Sequence, residues 1–440
     1  MNVVVVGAGI SGLTAAFRAQ SAGHHVRVLE AAPHPGGRMW TTSASGLAVD
    51  TGAHLLLASF THTRRLAAEV GLGDRWICLA EGEGGIVHGE EIESFSPERA
   101  RDVLRFGGLS LGSRARFFLT LLRAREWKNE LDFFDLSVGE GADGEDCDAF
   151  ARRHLGDEAT DYVVDTFIRT FHFHGANRMS ATYFEALAAL LLSQGRFRPC
   201  ALRGHMGVLP DALAGRLPVE YGVAVRSVEP RPGRVEVRWT GGSAECDAAV
   251  LAVPAEVARS LLVSSSAAQR SVLEHAESSE TILCAYAVPL EAARHFEGAW
   301  VPFRESPLVS GVSNDLCEPF DSGPRRVLSV WLHEEGAKAL HERDDAFVSD
   351  AVAREVGALL PQFDGRLTSL SVDRLPRALP IHGVGQVTRV KEFWRRGQGE
   401  DGIWLCGDYL NHPWVEGAVR CGEKVAAALG AGAGAPSPKL

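Results

Sequence analysis

Lysine is scarce in this chain of 440 residues, and long apolar runs and a surplus of positive charge are missing. Only five of its 45 basic residues are lysines, and its formal net charge is −11. An acidic chain without a basic stripe is unsuited to nucleic acid, so we expect no nucleic-acid partner. No stretch reaches the roughly 18 apolar residues of a membrane-spanning helix, and the chain opens on a predicted strand rather than a signal peptide. We therefore expect a cytoplasmic protein.

The eight cysteines lack the spacings typical of metal and redox sites. There is no Cys-x-x-Cys pair and no zinc-type His–Cys pattern, so we expect no structural zinc, no redox disulfide and mostly small buried thiols. His172 and His174 lie two residues apart and would share one face of a strand. Because no third ligand accompanies them, core or solvated positions are favoured over a metal site.

The chain does contain enough apolar residues for a large core, 45% of the sequence, and its length suits two or three domains. Helical and alternating patterns succeed one another along it. The predicted helices are 114–127, 147–154, 181–192, 345–360 and 414–429; the predicted strands are 3–6, 26–29, hairpins within 219–242, 246–254 and 403–406. We also predict an acidic loop at 138–148, a further β-rich region at 282–372 and a disordered tail at 431–440.

The most informative motif is a glycine-rich turn between a strand and a helix. Val3 to Val6 form an apolar β-branched run, and Gly7-Ala-Gly-Ile-Ser-Gly12 follows it directly. Helical spacing then continues to Gly23, and a second strand ends at Glu30. These residues predict one complete βαβ unit, the context in which a GxGxxG pattern binds a dinucleotide.

Each residue type in this unit has a physical role at a pyrophosphate. Gly7 permits the tight turn, Gly9 lets the backbone approach the phosphates, and Gly12 allows the helix to pack closely on the strand. Glu30 is placed to hold ribose hydroxyls and to repel the extra phosphate of NADP. The unit by itself leaves three alternatives open: a nicotinamide site, a flavin site, or a scaffold without redox chemistry.

A second strand-to-helix junction lies near the end of the chain. Ile403 to Cys406 form a predicted buried strand, Gly407-Asp408 interrupts it, and a helix begins near Trp414. Because a helix N-terminus favours negative charge, this junction predicts a second anion site. Two such sites suit a long ligand with a negative centre and a group that becomes anionic on reduction, such as a flavin dinucleotide.

Several blocks of sequence resemble one family in the same order along nearly the whole chain. They begin with the opening motif and include GGR at 36–38, VDTGAH at 49–54, GHMGVLPDALA at 204–214, VAVRSVE at 223–229, LAVPAEVA at 251–258, LPRALPIHGVGQVTRV at 375–390 and GDYLNHPWVEGAV at 407–419. Together they are similar to the flavin-containing amine oxidase superfamily, which includes protoporphyrinogen oxidases and phytoene-type desaturases. The 375–390 block resembles the protoporphyrinogen oxidase branch most. This resemblance favours FAD over a nicotinamide cofactor.

The resemblance implies an α/β fold of two interleaved parts. A Rossmann-type, glutathione reductase-like FAD-binding domain would comprise residues 1–75, 200–270 and 380–430. A substrate domain with a mixed β-sheet and a helical insert would comprise residues 76–199 and 271–379.

The resemblance also implies roles for individual residues around FAD. The glycines would contact the pyrophosphate, Glu30 the adenosine ribose, Arg38 the pyrophosphate or the flavin edge, Val225 the adenine through its backbone, and Asp408 the ribityl or pyrophosphate region. The helix after Trp414 would direct its N-terminus at the flavin N1 and C2 carbonyl. The complete predicted set is Gly7, Gly9, Ile10, Ser11, Gly12, Glu30, Ala31, Gly36, Gly37, Arg38, Val225, Gly407, Asp408, Val415, Glu416 and Ala418.

One departure from the family concerns catalysis. Many amine oxidases of the superfamily carry a strand lysine that holds a water against the flavin; the position we align with it, in SSETILCAYAV at 278–288, is Leu283. The nearest downstream lysine, Lys338, is too distant for a simple shift of register. This favours the oxidation of carbon frameworks, although some amine or amide oxidases also lack the lysine. We assign no catalytic residue and name Trp414 and Leu283 as candidate pocket residues.

Four other side chains receive a structural interpretation. Ser11 and His54 are predicted to make local hydrogen bonds, and Tyr183 and Phe184 to lie in the core. The segment 114–127 could roof a cavity or touch a membrane surface, and core packing is favoured over both.

These observations predict an FAD-dependent oxidoreductase that dehydrogenates a hydrophobic small molecule at a C–C or C–N bond, with oxygen or another acceptor reoxidising the flavin. The alternatives are an amine or amide oxidase that releases hydrogen peroxide, a non-redox flavin mutase, and a prenyl-binding escort protein. Peripheral membrane contact and a monomeric or homodimeric state are compatible with this prediction.

Overall fold

A computed structural model describes residues 1–78, 84–96, 99–127, 130–138, 141–192, 198–315 and 323–431. The predicted disordered tail lies outside these ranges except for Ala431, which ends the last helix. Cys317 and two residues of the predicted acidic loop also lie outside them.

The strands are short, and most belong to one of two larger sheets. In chain order they are β1 Asn2–Val6, β2 His25–Leu29, β3 Thr41–Ala44, β4 Leu47–Asp50, β5 Leu56–Leu57, β6 Trp76–Cys78, β7 Gly84–His88, β8 Glu91–Ser94, β9 Pro199–Leu202, β10 Val219–Glu220, β11 Val225–Arg231, β12 Arg234–Trp239, β13 Gly242–Cys246, β14 Ala248–Leu251, β15 Glu277–Ser278, β16 Thr281–Pro289, β17 Gly298–Trp300, β18 Val309–Asn314, β19 Arg325–Leu332, β20 Thr368–Leu375, β21 Pro380–Ile381 and β22 Ile403–Leu405.

The helices surround these sheets and form the segment between β8 and β9. In chain order they are α1 Ile10–Ser21, α2 Thr61–Glu69, α3 Ala100–Arg105, α4 Leu111–Trp127, α5 Cys147–Leu155, α6 Asp157–Ala159, α7 Thr166–His172, α8 Ala181–Leu191, α9 Val208–Ala214, α10 Ala255–Leu261, α11 Ala267–Glu274, α12 Leu290–Ala293, α13 Glu334–Leu340, α14 Asp345–Leu359, α15 Gln386–Arg396 and α16 Val415–Ala431. A π-helical segment, Thr160–Asp165, joins α6 to α7.

A five-stranded parallel sheet carries the glycine-rich turn. Its strand order is β10-β2-β1-β14-β22, and Val5 pairs with Val28 on one side and Val250 on the other. The valines of β1 are nearly inaccessible to solvent because helices cover both faces, which explains an uninterrupted apolar run rather than an alternating one. The predicted strand–helix–strand order at the start of the chain is therefore confirmed.

A seven-stranded sheet forms the second layer, in the order β20-β16-β19-β18-β17-β7-β8. All its neighbours are antiparallel except β17 and β7. Along β16 the side chains alternate: Ile282 and Tyr286 pack with Val352 of α14, whereas Leu283 faces the opposite side and packs with Trp331 of β19. One face of the sheet is thus closed by α14, and the other faces the interior of the protein.

The strands of these sheets fall within the two predicted sets of segments. Each strand of the parallel sheet lies within 1–75, 200–270 or 380–430, and each strand of the larger sheet lies within 76–199 or 271–379. The division into two domains remains a prediction. The predicted helices are confirmed with small differences at their ends; the first of them begins three residues earlier, at Leu111.

Two features differ from expectation. Cys78 and Cys200 face each other on β6 and β9 and form a disulfide, although no spacing motif predicted one. The two cysteines are 122 residues apart, so only the pairing of the strands brings them together. His172 ends α7 and His174 follows it in a loop, so they do not share a strand face. The five other described cysteines are buried and free, as expected.

Candidate active site

A cavity of about 440 Å³ lies between the parallel sheet and the inner face of the antiparallel sheet. Its volume is within the range typical of small-molecule sites. It is lined by fourteen of the residues that the sequence predicted at the cofactor: Gly7, Gly9, Ile10, Ser11, Glu30, Ala31, Gly36, Gly37, Arg38, Val225, Gly407, Asp408, Val415 and Ala418.

The glycine-rich turn forms one wall of the cavity. Gly7 has a φ of +103°, and a Cβ there would lie 2.5 Å from the carbonyl oxygen of Ala252. A Cβ on Gly12 would lie 2.2 Å from the carbonyl oxygen of Gly7, so Gly12 packs inside the turn and does not line the cavity. A Cβ on Gly9, by contrast, would meet no atom within 4 Å. Of the three glycines in the motif, Gly9 is therefore the one whose missing side chain leaves space for a ligand.

The GGR segment is joined to this turn by the backbone. Gly36 forms a bridge with Gly9, and its N–H donates to the carbonyl of Ala8 at 2.8 Å. Gly36 has a φ of +105°, and a Cβ there would lie 2.5 Å from the carbonyl oxygen of Met39. Glycine is required at this position for both reasons.

Glu30 is fixed at the end of β2 by two backbone donors. The N–H groups of Ala8 and Ala32 donate to its two carboxylate oxygens at 2.6 and 2.8 Å. A carboxylate accepts about four hydrogen bonds, so acceptor positions remain for hydroxyl groups in the cavity. Glu30 thus orients the glycine-rich turn and lines the cavity at the same time.

Arg38 and Asp408 form an ion pair across the cavity wall. Arg38 donates to Asp408 Oδ1 and to the carbonyl oxygen of Ala378, at 2.8 and 2.9 Å. The Asp408 side chain is buried, and the Arg38 side chain is about one-third exposed. The pair joins the start of the chain to its end, and it leaves guanidinium donors of Arg38 available to an anion.

The N-terminus of α16 also meets the cavity. Pro413, Trp414, Val415 and Ala418 line it there. The first N–H groups of a helix have no partner within the helix and favour an anion. The side chain of Glu416 points elsewhere: it is fully buried and accepts from the N–H groups of His62 and Thr63 at the start of α2, at 3.0 and 2.9 Å. Any contribution of Glu416 to the cavity must therefore come from its backbone.

A model of the family described as "Flavin containing amine oxidoreductase" matches residues 10–430. The chain belongs to this family. It is 25% identical to the coproporphyrinogen III oxidase of Mycobacterium tuberculosis (strain CDC 1551 / Oshkosh) over 94% of each chain. It is 29% identical to the mitochondrial protoporphyrinogen oxidase of Nicotiana tabacum, a match that spans 38% of this chain and only 32% of the tobacco protein.

The fold is also similar to that of a solved oxidase. A wild-type putrescine oxidase bound to putrescine superimposes with a TM-score of 0.76 at 19% identity, over 98% of this chain and 99% of that one. As a member of the flavin-containing family, the protein is a flavin-dependent oxidoreductase, and its cofactor is FAD.

The residues present fit FAD on structural grounds. The open space above Gly9, the free donors of Arg38, the carboxylate of Glu30 and the first turn of α16 are distributed along one continuous cavity. These are donors for two phosphates, an acceptor for a ribose and a positive helix end for a ring that gains negative charge.

Aromatic side chains line the end of the cavity away from the glycine-rich turn. Phe171 and Phe173 come from the end of α7, Trp331 from β19 and Trp414 from the loop before α16. The ring of His54 contacts that of Trp331 at an interplanar angle of 32°, with ring centroids 3.9 Å apart. Burial lowers the pKa of His54 to about 4, so the imidazole is neutral at pH 7.

Four further histidines lie behind this aromatic end: His172, His174, His382 and His412 are all at most 1% exposed. Tyr183 and His172 share a hydrogen bond at 2.5 Å, and the His172 ring stacks on Trp414 with centroids 5.7 Å apart. Burial and the neighbouring histidines hold the pKa of His172 and His412 far below the usual value. They form a neutral core cluster, and no group of side chains in the described ranges could hold a metal.

The predicted pocket residue Leu283 is not in the cavity wall. It is fully buried and packs behind Trp331 and Phe173, which do line the cavity. The bulk of the indole accounts for this, because Trp331 is the β19 partner of Leu283 and covers it. Lys338 is on α13, where it pairs with Glu334 at 3.0 Å, so it does not replace the family lysine. The other pocket candidate, Trp414, does line the cavity.

Sequence reasoning missed the rest of the aromatic wall. Phe171, Phe173 and Trp331 sit on elements whose helical or alternating patterns explain them as core residues. His54 was interpreted as a local hydrogen-bonding residue, yet it forms part of the wall. The one sequence feature that could have indicated this position is that His54 lies in the VDTGAH block. Tyr183 and Phe184 are core residues, as predicted.

Proposed function

We propose that the protein dehydrogenates a hydrophobic small molecule at a C–C or C–N bond, with hydride transfer to N5 of FAD, in the manner of protoporphyrinogen oxidases and desaturases. The observation that carries this proposal is the distribution of charge in the cavity. Among its described lining residues the only carboxylates are Glu30 and Asp408, and both are held at the cofactor end. The aromatic end offers a substrate no counter-ion for an ammonium group.

An ammonium group would find aromatic faces at this end but no carboxylate partner. A protonated amine transferred to an apolar wall without a charged partner loses several kcal/mol of hydration. Phe171, Phe173, Trp331 and Trp414 instead favour a flat or extended carbon framework. The described lining of the cavity contains no lysine, which supports the same conclusion.

This chain's own residues would position substrate and cofactor. FAD, when bound, supplies the hydride acceptor. The first turn of α16 favours negative charge at its N-terminus, and the aromatic wall excludes water from the reacting bond. His54 lies on that wall as a neutral imidazole, and the burial that keeps it neutral also makes it a weak base, so we assign it no proton transfer.

The lining of the cavity supports neither a non-redox flavin mutase nor a prenyl-binding escort protein. A mutase acting on a nucleotide-sugar diphosphate needs a cluster of cations, but the described lining contains only Arg38, which is paired, and Arg377 at the rim. An escort protein without flavin would not need an open glycine-rich turn or donors directed at a dinucleotide.

Porphyrinogens are the first substrate class to test, since a coproporphyrinogen III oxidase is similar over nearly the full length. The assay is anaerobic bleaching of the visible flavin band with porphyrinogens, polyene precursors and hydrophobic amines, with putrescine for comparison. We expect bleaching by an unsaturated hydrophobic compound and none by putrescine. Trp414→Ala should slow the bleaching, and Val263→Ala, at an exposed site outside the cavity, should not. Rapid bleaching by putrescine alone would show that the protein is an amine oxidase.

A further inference from the structure

A second, smaller cavity lies within the helices that follow β8. Its volume is about 40 Å³, and its lining comes from α4, α5, α7, α8, the π-helical segment and Trp300 of β17. Because about 10–15 Å³ of such space holds one water molecule, the cavity has room for a molecule of two or three heavy atoms.

The lining of this small cavity is almost entirely apolar. Among its described residues none is charged, and hydroxyl or thiol groups come only from Thr120, Cys147 and Tyr183. The hydroxyl of Tyr183 already shares a hydrogen bond with His172. A buried water needs two to four polar partners, so the small cavity favours an apolar guest over water.

One layer of aromatic rings separates the small cavity from the aromatic end of the central cavity. Phe167 and Trp300 line the small cavity, whereas Phe171 and Trp414 line the central one. The ring centroids of Phe167 and Phe171 are 4.8 Å apart, and those of Phe171 and Trp300 are 5.4 Å apart. Phe167 also contacts Trp414, with centroids 6.3 Å apart. A guest in the small cavity would therefore lie one side-chain layer away from the start of α16.

Another side of the small cavity approaches the protein surface. Leu121 of α4 and Leu191 of α8 line it there, and both are only partly buried. The core packing predicted for 114–127 is confirmed on this inner side of α4, but it is wrong for Leu119 and Leu122, which are exposed on the outer side. The small cavity thus lies between the surface and the central cavity.

An irregular helical segment forms a further part of the lining. Val163 and Val164 belong to the π-helical segment, and both line the small cavity. π-Helical turns are rare and occur frequently at functional sites. This is a second observation, independent of the apolar lining, that marks the small cavity as a functional one.

We propose that the small cavity binds dioxygen and delivers it to the reduced cofactor. Dioxygen is diatomic, uncharged and apolar, so it matches both the volume and the lining of the cavity. The proposal rests on the proposed function, in which FAD takes a hydride and must then be reoxidised. Dioxygen takes two electrons and one proton from the reduced flavin and a second proton from solvent, and it leaves as hydrogen peroxide.

Size and polarity argue against other occupants of the small cavity. An ion would meet no charged partner among the described lining residues, and a ring of a carbon framework exceeds the available volume. A short alkyl substituent of the substrate would fit, but Phe171 and Trp414 would have to stay displaced for as long as the substrate remained bound. A diatomic molecule needs only a transient movement of these rings.

The first test is xenon binding to the FAD-loaded, full-length protein. Xenon is a heavy, apolar probe that enters dry apolar cavities. In crystals pressurised with xenon, we expect an anomalous-scattering peak between Val164, Phe167 and Ala188. Ala188→Val adds two methyl groups to the lining and should abolish this peak. Ala189→Val is the matched control, because Ala189 is buried on the same helix but lines neither cavity, and it should leave the peak unchanged.

The second test measures reoxidation of the flavin without any substrate. The flavin is reduced by light in the absence of oxygen and then mixed with oxygenated buffer in a stopped-flow instrument. Ala188→Val should lower the rate constant for reoxidation about fourfold, the factor that corresponds to one methylene-sized apolar contact. Val164→Ile adds one methyl group and should give a smaller decrease, whereas Ala189→Val should give none.

The two tests are independent of the substrate. Reduction by light needs none, so a wrong substrate class would leave both results intact, and failure of the proposed function can be distinguished from failure of this proposal. Absence of xenon from the small cavity, or equal reoxidation rates in the Ala188→Val and Ala189→Val variants, would overturn the proposal. So would an Ala188→Val variant that slows bleaching by substrate but not reoxidation, since the cavity would then hold a substituent of the substrate.

Discussion

The two ends of the central cavity are built by different means. At the dinucleotide end, glycines and backbone groups from one short βαβ unit form the wall, and the few charged side chains are held by named partners such as Ala8 and Asp408. At the aromatic end, the wall is made of bulky side chains from α7, β19 and the loop before α16. Under the proposed function, the first end would hold the cofactor, and the second would decide which substrate fits.

Acid should destabilise the protein through the buried histidines behind the aromatic end. Burial lowers the pKa of His174 and His382 to about 4, below the value of about 6.5 expected in the unfolded chain. The unfolded state therefore binds protons first: stability is complete above pH 6.5 and is lost as the pH falls towards 4. Each histidine should cost about 2 kcal/mol of unfolding free energy between pH 7 and 5. Urea unfolding across this range measures it.

Replacement of one histidine tests the origin of that loss. His382→Gln should flatten the pH dependence by about one histidine's share, and His341→Gln, at an exposed position, should leave it unchanged. An equal pH dependence in both variants would assign the acid sensitivity to other groups.

Substitutions of Gly9 and Gly12 should distinguish the loss of FAD binding from the loss of packing within the protein. Gly12→Ala places a Cβ 2.2 Å from the carbonyl oxygen of Gly7 and should lower the unfolding free energy by about 1–3 kcal/mol even without FAD. Gly9→Ala meets nothing in the protein, so it should leave the FAD-free protein stable and still reduce FAD affinity strongly. Urea unfolding and FAD titration measure the two effects. Equal destabilisation by both substitutions would contradict a ligand-binding role for Gly9.

Breaking the Arg38–Asp408 ion pair should weaken the contact between the GGR segment and the strand-to-helix junction near the end of the chain. Asp408→Asn keeps the shape but leaves Arg38 without its charged partner, and should lower stability by about 1–2 kcal/mol and FAD affinity roughly tenfold. The double variant Arg38→Gln/Asp408→Asn should lose less than the sum of the two single changes. Strict additivity in this cycle would mean that the two residues act independently.

The smallest effect is expected at Glu30. Glu30→Gln replaces one acceptor oxygen by a donor, so one backbone N–H of the turn loses its partner, and FAD affinity should fall about fivefold. Glu220→Gln is the control: Glu220 pairs with Arg27 at the edge of the same sheet and does not line the cavity. Isothermal titration with FAD distinguishes them, and equal affinities would remove Glu30 from the cofactor site.

The amino-acid sequence by itself determined the dinucleotide end. Gly7 to Gly12, Glu30 and the GGR segment lie within 32 residues, so local spacing was sufficient to predict the turn, the helix and the acid that follows β2. The tertiary structure decided what no local pattern encodes: that His54 contacts Trp331, that Leu283 packs behind Trp331, that Cys78 meets Cys200, and that Leu111, Leu119 and Leu122 of α4 are exposed. These contacts join residues far apart in the chain, and a helical or alternating pattern shows that a side chain belongs to one face without showing what that face meets.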